Sequence, residues 1–229
     1  MKKYIIVVAG GSGKRMQAHV PKQFLPINGK PVLMRTLERI YNYDSSISIV
    51  LVIPEAHRSY WNMLCNEYAF NVPYILTNGG SERFYSVKNA LEFIPDDCVV
   101  AVHDGVRPFV SNDTLKAVFE AVEEKKAVIP IVAPSESVRV VDGDTNSIID
   151  RNTVKLVQTP QCFTADVLKK AYSVDYDPMF TDDASVVETV LNIPIFLVEG
   201  NRENIKFTTA FDMLIAEAIY ESFASQGYF

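Results

Sequence analysis

Short apolar runs alternate along the chain with longer stretches in which apolar residues recur every three or four positions. The runs are rich in β-branched residues and carry few charges, as is typical of buried parallel strands. The longer stretches have the period of amphipathic helices. This alternation predicts an α/β fold, a mostly parallel sheet with helices on both faces. The predicted strands are residues 4–9, 47–53, 72–76, 98–103, 127–133, 154–157 and 195–198.

Two of the helical stretches have a well-defined apolar face. The first begins near Pro31 and places on one face Leu33, Leu37, Ile40 and Tyr41. The last follows two candidate caps, Thr208 and Thr209, and its apolar positions have helical spacing. These positions are Phe211, Leu214, Ile215, Ala218, Ile219 and Phe223.

One segment between two predicted core strands breaks the alternation. Residues 137–141 and 147–151 flank the turn sequence Asp142-Gly143-Asp144, which predicts a two-stranded hairpin. An isolated hairpin is marginally stable in water, and this one has little apolar content of its own. We therefore expect a protruding arm, at about residues 134–152, that packs against a partner subunit.

Length and composition limit the class of protein. A chain of 229 residues that is 48% hydrophobic can form one sizeable core, so we expect a single domain over residues 1–229. No leader, lipidation signal or 18-residue apolar run is evident, and we expect a cytoplasmic protein without a membrane partner. The net charge of −6 without a basic tract argues against nucleic-acid binding. The expected partner is a small anion.

The most informative motif is AGGSGKRMQAHVPKQFL at residues 9–25, directly after the first predicted strand. Its glycines allow backbone N–H groups to approach an anion closely, and basic side chains follow them. The glycines are Gly10, Gly11 and Gly13, and the basic residues are Lys14, Arg15 and Lys22. This combination predicts a polyphosphate site.

Two common glycine-rich motifs do not match this loop. A P-loop needs Ser or Thr after Gly13-Lys14, where this chain has Arg15. A dinucleotide fingerprint that begins at Gly11 needs a third glycine, where this chain has Met16. A purely structural turn remains an alternative, although the basic residues disfavour it.

Further polar residues follow other predicted strands. Asp104 comes at the carboxyl end of strand 98–103, where a single carboxylate could hold Mg²⁺ together with phosphate oxygens and water. The loop NGGSERFYS, residues 78–86, is a second glycine-bearing turn into a helix. Lys206 follows the last strand. All three are expected at one edge of the sheet.

Taken together, the motifs resemble those of one family. AGGSGKRM, PKQFLP, NGGSERFYSV, HDGVRPF, DRNTVKLVQTPQCF, TDDAS and VEGNRENIKFTT occur in the order found in 2-C-methyl-D-erythritol 4-phosphate cytidylyltransferases. The resemblance covers residues 9–209. It implies a Rossmann-like nucleotidyltransferase fold, a homodimer dependent on Mg²⁺, and transfer of a cytidylyl group from CTP to the polyol phosphate with release of pyrophosphate.

The resemblance also implies roles for individual residues. Positions that correspond to catalytic phosphate contacts are Arg15, Lys22 and Lys206, and Asp104 corresponds to the metal ligand. The CTP-binding positions are Ala9, Gly10, Gly11, Gly13, Gly79, Gly80, Arg83, Ser86 and Gly105. The acceptor-binding positions are Arg107, Ser137, Arg151 and Thr159. Histidine has no catalytic role in this scheme, and His103 is expected to be a core or loop residue.

The sequence departs from the family pattern at three places. Gly10 replaces a frequent alanine, Asp183 replaces a glutamate, and the spacing on the arm leaves Ser135 as an alternative to Ser137. Ribitol 5-phosphate is the alternative acceptor, since the enzymes that use it share the AGG and PKQFLP loop. An NAD(P)-binding oxidoreductase and a non-catalytic nucleotide-binding module are alternatives from other classes.

Overall fold

The computed structural model of the chain describes residues 1–10 and 20–228. Its helices are α1 (Val32–Tyr43), α2 (Glu55–Glu67), α3 (Arg83–Leu91), α4 (Asn112–Lys125), α5 (Ala165–Ala171), α6 (Asp183–Leu191) and α7 (Ala210–Ser225). Its strands are β1 (Lys2–Val8), β2 (Pro26–Ile27), β3 (Lys30–Pro31), β4 (Ser48–Ile53), β5 (Ile75–Asn78), β6 (Cys98–Asp104), β7 (Ala127–Val132), β8 (Arg139–Asp142), β9 (Thr145–Ile148), β10 (Leu156–Val157), β11 (Gln161–Thr164) and β12 (Phe196–Glu199). None of these helices is both long and apolar enough to span a membrane.

The predicted strands form one large sheet that is mostly parallel, as the sequence indicated. β6, β1, β4 and β5 lie side by side in parallel, and β12 pairs in parallel with β7. The sequence did not indicate β11, which lies antiparallel between β6 and β7. This strand has only four residues and polar ends, Gln161 and Thr164, so it lacks the apolar run that identified the others.

Successive side chains of the sheet alternate between two cores, so helices cover both faces as predicted. On one face Ile5 and Leu51 pack with residues of α1, α2 and α4. On the other face Ile6 and Val52 pack with residues of α3, α5 and α6. The central parallel strands β6, β1 and β4 are therefore buried on both sides, and their carboxyl ends open at one edge.

The prediction for α7 was only partly correct. Thr209 caps this helix, and its side chain accepts a hydrogen bond from the backbone N–H of Asp212. Phe223 is buried in a third apolar cluster, but Phe211 and Leu214 are 67% and 77% exposed. Through Ala216 and Phe223 the helix instead packs on β2 and the apolar residues beside it, and not on the large sheet.

The predicted hairpin is formed by β8 and β9, which pair with each other and form a two-stranded sheet apart from the main one. Gly143 in the turn has a φ of +55°, a conformation that favours glycine. Every residue of both strands is exposed, including the apolar Val141 and Ile148. The arm is thus present, with apolar side chains that this subunit leaves uncovered.

Candidate active site

Two adjoining cavities open where β1, β5 and β6 end. The larger, about 230 Å³, is lined by Val8, Ala9, Gly10, Lys22, Gln23, Gly80, Ser81, Glu82, Arg83, Ser86, Asp104, Val106 and Lys206. The smaller, about 180 Å³, is lined by Arg83, Asp104, Arg107, Val157, Gln158, Thr159, Gln161, Thr181, Asp182 and Lys206. Three charged residues, Arg83, Asp104 and Lys206, line both cavities. They mark the junction between the two.

Asp104, the last residue of β6, is the charged centre of this junction. Its Oδ2 accepts a hydrogen bond from Arg107 Nε at 3.0 Å and lies 3.1 Å from Lys206 Nζ. Arg83 Nε lies farther away, 3.8 Å from Oδ1. Burial disfavours the ionised form, but Lys206, Arg83 and Arg107 outweigh it and hold the pKa of Asp104 well below its usual range. The carboxylate therefore stays ionised.

Arg83 at the start of α3 is anchored on its far side. Its Nη1 and Nη2 donate to Asp183 Oδ1 and Oδ2 at 2.9 and 2.7 Å, a bidentate ion pair. Asp183, the first residue of α6, is fully buried and also accepts a hydrogen bond from the Tyr172 hydroxyl at 2.6 Å. The pair joins two helix starts that are far apart in sequence. The sequence pattern singled out Asp183 only because it replaces a glutamate of the family motif, and did not predict this ion pair.

His103 and Thr159 support Asp104 from within the core. The His103 ring is fully buried, with Nε2 3.0 Å from the Arg107 carbonyl and Nδ1 2.9 Å from Thr159 Oγ1. Burial lowers the pKa of His103 to about 4, so the ring is neutral at pH 7. Because the carbonyl can only accept, Nε2 carries the hydrogen and Nδ1 accepts from Thr159. The Thr159 hydroxyl in turn accepts the backbone N–H of Asp104 at 3.1 Å.

The buried neutral His103 makes stability depend on pH. Its pKa is about 4 in the folded protein and 6.5 ordinarily, so the unfolded chain binds the extra proton between these values. The free energy of unfolding should therefore fall by about 3 kcal/mol as the pH drops from 7 to 4. Urea denaturation across this range measures the slope. The His103→Gln variant should lose this part of the slope, and an unchanged slope would contradict a neutral buried imidazole.

The loops after β1 and β5 meet across Ser86 in the wall of the larger cavity. Ser86 Oγ accepts the backbone N–H of Gly80 at 3.0 Å and donates to the Glu82 carbonyl at 3.2 Å. A Cβ at Gly80 would lie 2.3 Å from Tyr85 Cβ, so only glycine fits there. A Cβ at Gly10 would lie 3.8 Å from Ser86 Oγ and one at Gly79 3.4 Å from the same atom. Three of the glycines predicted to bind CTP are therefore neighbours.

Lys22 is a further predicted residue that lines the larger cavity, whereas Gly105 is buried and does not line it. A Cβ at Gly105 would lie 2.9 Å from Leu33 Cδ1. Lys22 begins a short 3-10 turn that ends at Phe24. The next side chain, Gln23, donates from Nε2 to the Ala9 carbonyl at 2.9 Å and ties this turn to the end of β1. Of the remaining predictions in this loop, Gly11, Gly13 and Arg15 lie outside the described residues.

Two side-chain amides that sequence reasoning did not identify, those of Gln158 and Asn204, help to position Lys206. Gln158 Nε2 donates to the Asn201 carbonyl at 2.8 Å, and Asn204 Nδ2 donates to the Thr159 carbonyl at 2.8 Å. The Asn204 carbonyl also accepts Arg107 Nη1 at 2.7 Å. These bonds fix the loop between β12 and α7. Gln158 directly precedes the TPQ motif and Asn204 begins NIK, but a motif does not show which backbone group an amide will meet.

The arm residues are not part of these cavities. Ser137 and Arg151 are exposed and line neither of the two. Arg151 Nη1 donates to the Ser135 carbonyl at 3.0 Å, within the base of the arm. The other acceptor-side predictions, Arg107 and Thr159, both line the smaller cavity. The structure thus brings together the predicted residues of the sheet edge but not those of the arm.

The arrangement fits the joining of two anionic molecules. Each cavity has a cationic wall, Lys22 in the larger and Arg107 in the smaller, and Lys206 lies at their junction. Two phosphorylated ligands could therefore be held with their phosphates close together, with their negative charge neutralised by the protein.

Comparison with known proteins identifies the family of this chain. The family model of 2-C-methyl-D-erythritol 4-phosphate cytidylyltransferase (IspD) matches residues 4–222. The enzyme of that name from Bacteroides fragilis is 49% identical over 96% of this chain and 100% of its own length. The corresponding enzyme from Porphyromonas gingivalis is 46% identical over 96% of this chain and 99% of its own.

Solved structures show the same relationship. The crystal structure of 2-C-methyl-D-erythritol 4-phosphate cytidylyltransferase from Francisella tularensis is 32% identical and covers 96% of this chain and all of its own, with a TM-score of 0.78. The 4-diphosphocytidyl-2C-methyl-D-erythritol synthase of Anaerococcus prevotii is 27% identical over 95% of each chain, with a TM-score of 0.80. The fold is therefore that of a Rossmann-like nucleotidyltransferase. The chain belongs to the 2-C-methyl-D-erythritol 4-phosphate cytidylyltransferase family.

Proposed function

We propose that this protein transfers a cytidylyl group from CTP to 2-C-methyl-D-erythritol 4-phosphate, releases pyrophosphate and thereby supplies isoprenoid precursor synthesis. The observation that supports this most directly is the junction of two cavities at Asp104 and Lys206. The larger cavity, with its glycine loops and Lys22, is suited to CTP. The smaller cavity, with Arg107 and Thr159, is suited to the acceptor phosphate.

The transfer needs no general base, because the residues present only have to hold the phosphates and neutralise their charge. A phosphate monoester has a second pKa of about 6, so its oxygen is already a nucleophile at neutral pH. His103 is buried and bonded on both ring nitrogens, which agrees with a structural role. Lys206 and Arg107 then hold the two phosphates close together and neutralise charge as pyrophosphate leaves.

The donor set at the junction also fits Mg²⁺. Within the part of the chain that the structure describes, no cluster of three or more His, Cys, Asp or Glu side chains could enclose a metal. Mg²⁺ commonly takes only one or two protein carboxylates and fills its other positions with phosphate oxygens and water. Asp104 supplies one ionised carboxylate at the cavity junction, and bound Mg²⁺ would neutralise phosphate charge there.

The exposed arm supports a homodimer. Val141 and Ile148 are 73% and 82% exposed, and a two-stranded hairpin alone is marginally stable. Contact with a second subunit would cover them. In such a dimer Ser137 and Arg151, which line neither cavity of their own subunit, would reach the acceptor of the partner.

The reaction can be tested by pyrophosphate release. Four nucleoside triphosphates are each combined with 2-C-methyl-D-erythritol 4-phosphate or ribitol 5-phosphate, with and without Mg²⁺. We expect release only with CTP, the methylerythritol acceptor and Mg²⁺ together. Equal or faster turnover with ribitol 5-phosphate would assign the protein to the alternative acceptor, and release without Mg²⁺ would exclude the metal role.

A further inference from the structure

The two oxygens of Asp104 have different surroundings. Oδ2 lies within 3.1 Å of both Arg107 Nε and Lys206 Nζ. Among residues 1–10 and 20–228, no group donates a hydrogen bond to Oδ1, and the shortest ion-pair contact of Arg83 with Asp104 is 3.8 Å, from Nε to Oδ1. This separation exceeds hydrogen-bond distance. Oδ1 is thus the carboxylate oxygen that can still bind a metal ion.

An arginine so close to a carboxylate would normally form a short, bidentate pair with it. Arg83 does not do so, because its Nη1 and Nη2 are already bonded to both oxygens of Asp183. Asp183 itself cannot follow Arg83 towards the cavity. It is fully buried, bonded to the Tyr172 hydroxyl, and located in the first turn of α6.

From this geometry we propose that Asp183 is a positioning residue that ties Arg83 back and so keeps Asp104 Oδ1 open for a divalent cation. The inference rests on the proposed Mg²⁺-dependent function and extends it to a residue outside both cavities. The function of the Arg83–Asp183 pair is then to restrain a competing cation and not only to join α3 to α6.

The Asp183→Asn variant tests this idea, because asparagine keeps the shape and removes the charge that holds Arg83. The released guanidinium should pair with Asp104 and weaken Mn²⁺ binding to the enzyme–CTP complex at least tenfold. Binding is measured by water-proton relaxation, with no acceptor present, so that the readout does not depend on turnover. Asp183→Glu, which keeps the charge, should bind Mn²⁺ within about threefold of the wild type.

Two further variants separate positioning from folding. Tyr172→Phe removes a hydrogen bond to Asp183 but leaves the ion pair, so it should lower the melting temperature without weakening Mn²⁺ binding. The double variant Arg83→Gln/Asp183→Asn lacks the competing cation and, measured at a CTP concentration that saturates this variant, should recover most of the lost Mn²⁺ affinity. Failure of the double variant to recover, or unchanged Mn²⁺ binding by folded Asp183→Asn, would overturn the inference while the wild type still binds Mn²⁺. If the wild-type enzyme–CTP complex holds no more Mn²⁺ than CTP alone, the proposed metal site fails as well.

Discussion

Replacing Lys206 with alanine should lower kcat at least 100-fold, about 2.7 kcal/mol of transition-state stabilisation, with a much smaller change in the affinity for CTP. Lys206 Nζ lies at the junction of the two cavities, where charge develops as the bond to pyrophosphate breaks. Its ammonium group pairs with Asp104, and 41% of its side chain is exposed. It can therefore move to a phosphate while Arg107 continues to neutralise Asp104.

Steady-state kinetics with CTP varied at saturating acceptor would measure this effect. Lys116→Ala is a suitable control, because Lys116 is an exposed lysine on α4 whose side chain lies 3.9 Å from Glu120. Its kcat should stay within about twofold of the wild type. A large rise in KM with unchanged kcat for Lys206→Ala would instead mean that Lys206 binds the ground state and the transition state equally.

Residues that follow strands were the part of the site that the sequence predicted best. Asp104 directly ends an apolar run, and parallel strands bring their carboxyl ends to one edge whatever the lengths of the intervening helices. The same rule located Gly80 after β5 and Lys206 after β12. Periodicity and topology were sufficient for Asp104 and Gly80, whereas the loop that carries Lys206 is also held by the side-chain amides of Gln158 and Asn204.

Contacts between side chains of distant elements could not be predicted in this way. Arg83 and Asp183 are 100 positions apart, and their pairing depends on how α3 and α6 pack on one face of the sheet. The amides of Gln158 and Asn204 likewise bond to particular carbonyls that no pattern identifies. Such contacts depend on the packing of the whole core, which a local period does not encode. For the same reason, the helical period did not predict that Phe211 and Leu214 of α7 would be exposed.

The hydrogen bonds of Thr159 define how it could contact the acceptor, which the family resemblance did not specify. Its hydroxyl hydrogen is directed at His103 Nδ1, and one lone pair accepts the Asp104 N–H. One lone pair remains for a ligand. Thr159 can therefore accept a hydrogen bond from an acceptor hydroxyl, but it has no hydrogen left to donate to a phosphate. Phosphate binding in the smaller cavity then depends on cationic side chains, of which Arg107 is one and Arg151 of a partner subunit is expected to be another.

Mixing two inactive variants should restore activity if the arm serves the partner subunit. Lys22→Ala and Arg151→Ala homodimers should each be nearly inactive, because every site lacks one phosphate contact. The two variants are unfolded and refolded together at equal concentration, and each is also refolded alone as its control. If Arg151 acts across the interface, one site of a mixed dimer has both defects and the other is intact.

Random pairing makes half of the dimers mixed, so the refolded mixture should show roughly a quarter of the wild-type activity in a twofold-symmetric assembly. Pyrophosphate release under saturating substrates is the measurement. If Arg151 served its own subunit, every site would have exactly one defect and mixing would restore nothing. The exposure of Arg151 and its absence from both cavities of its own subunit favour the first outcome. Recovery near a quarter would show that two chains build each acceptor site.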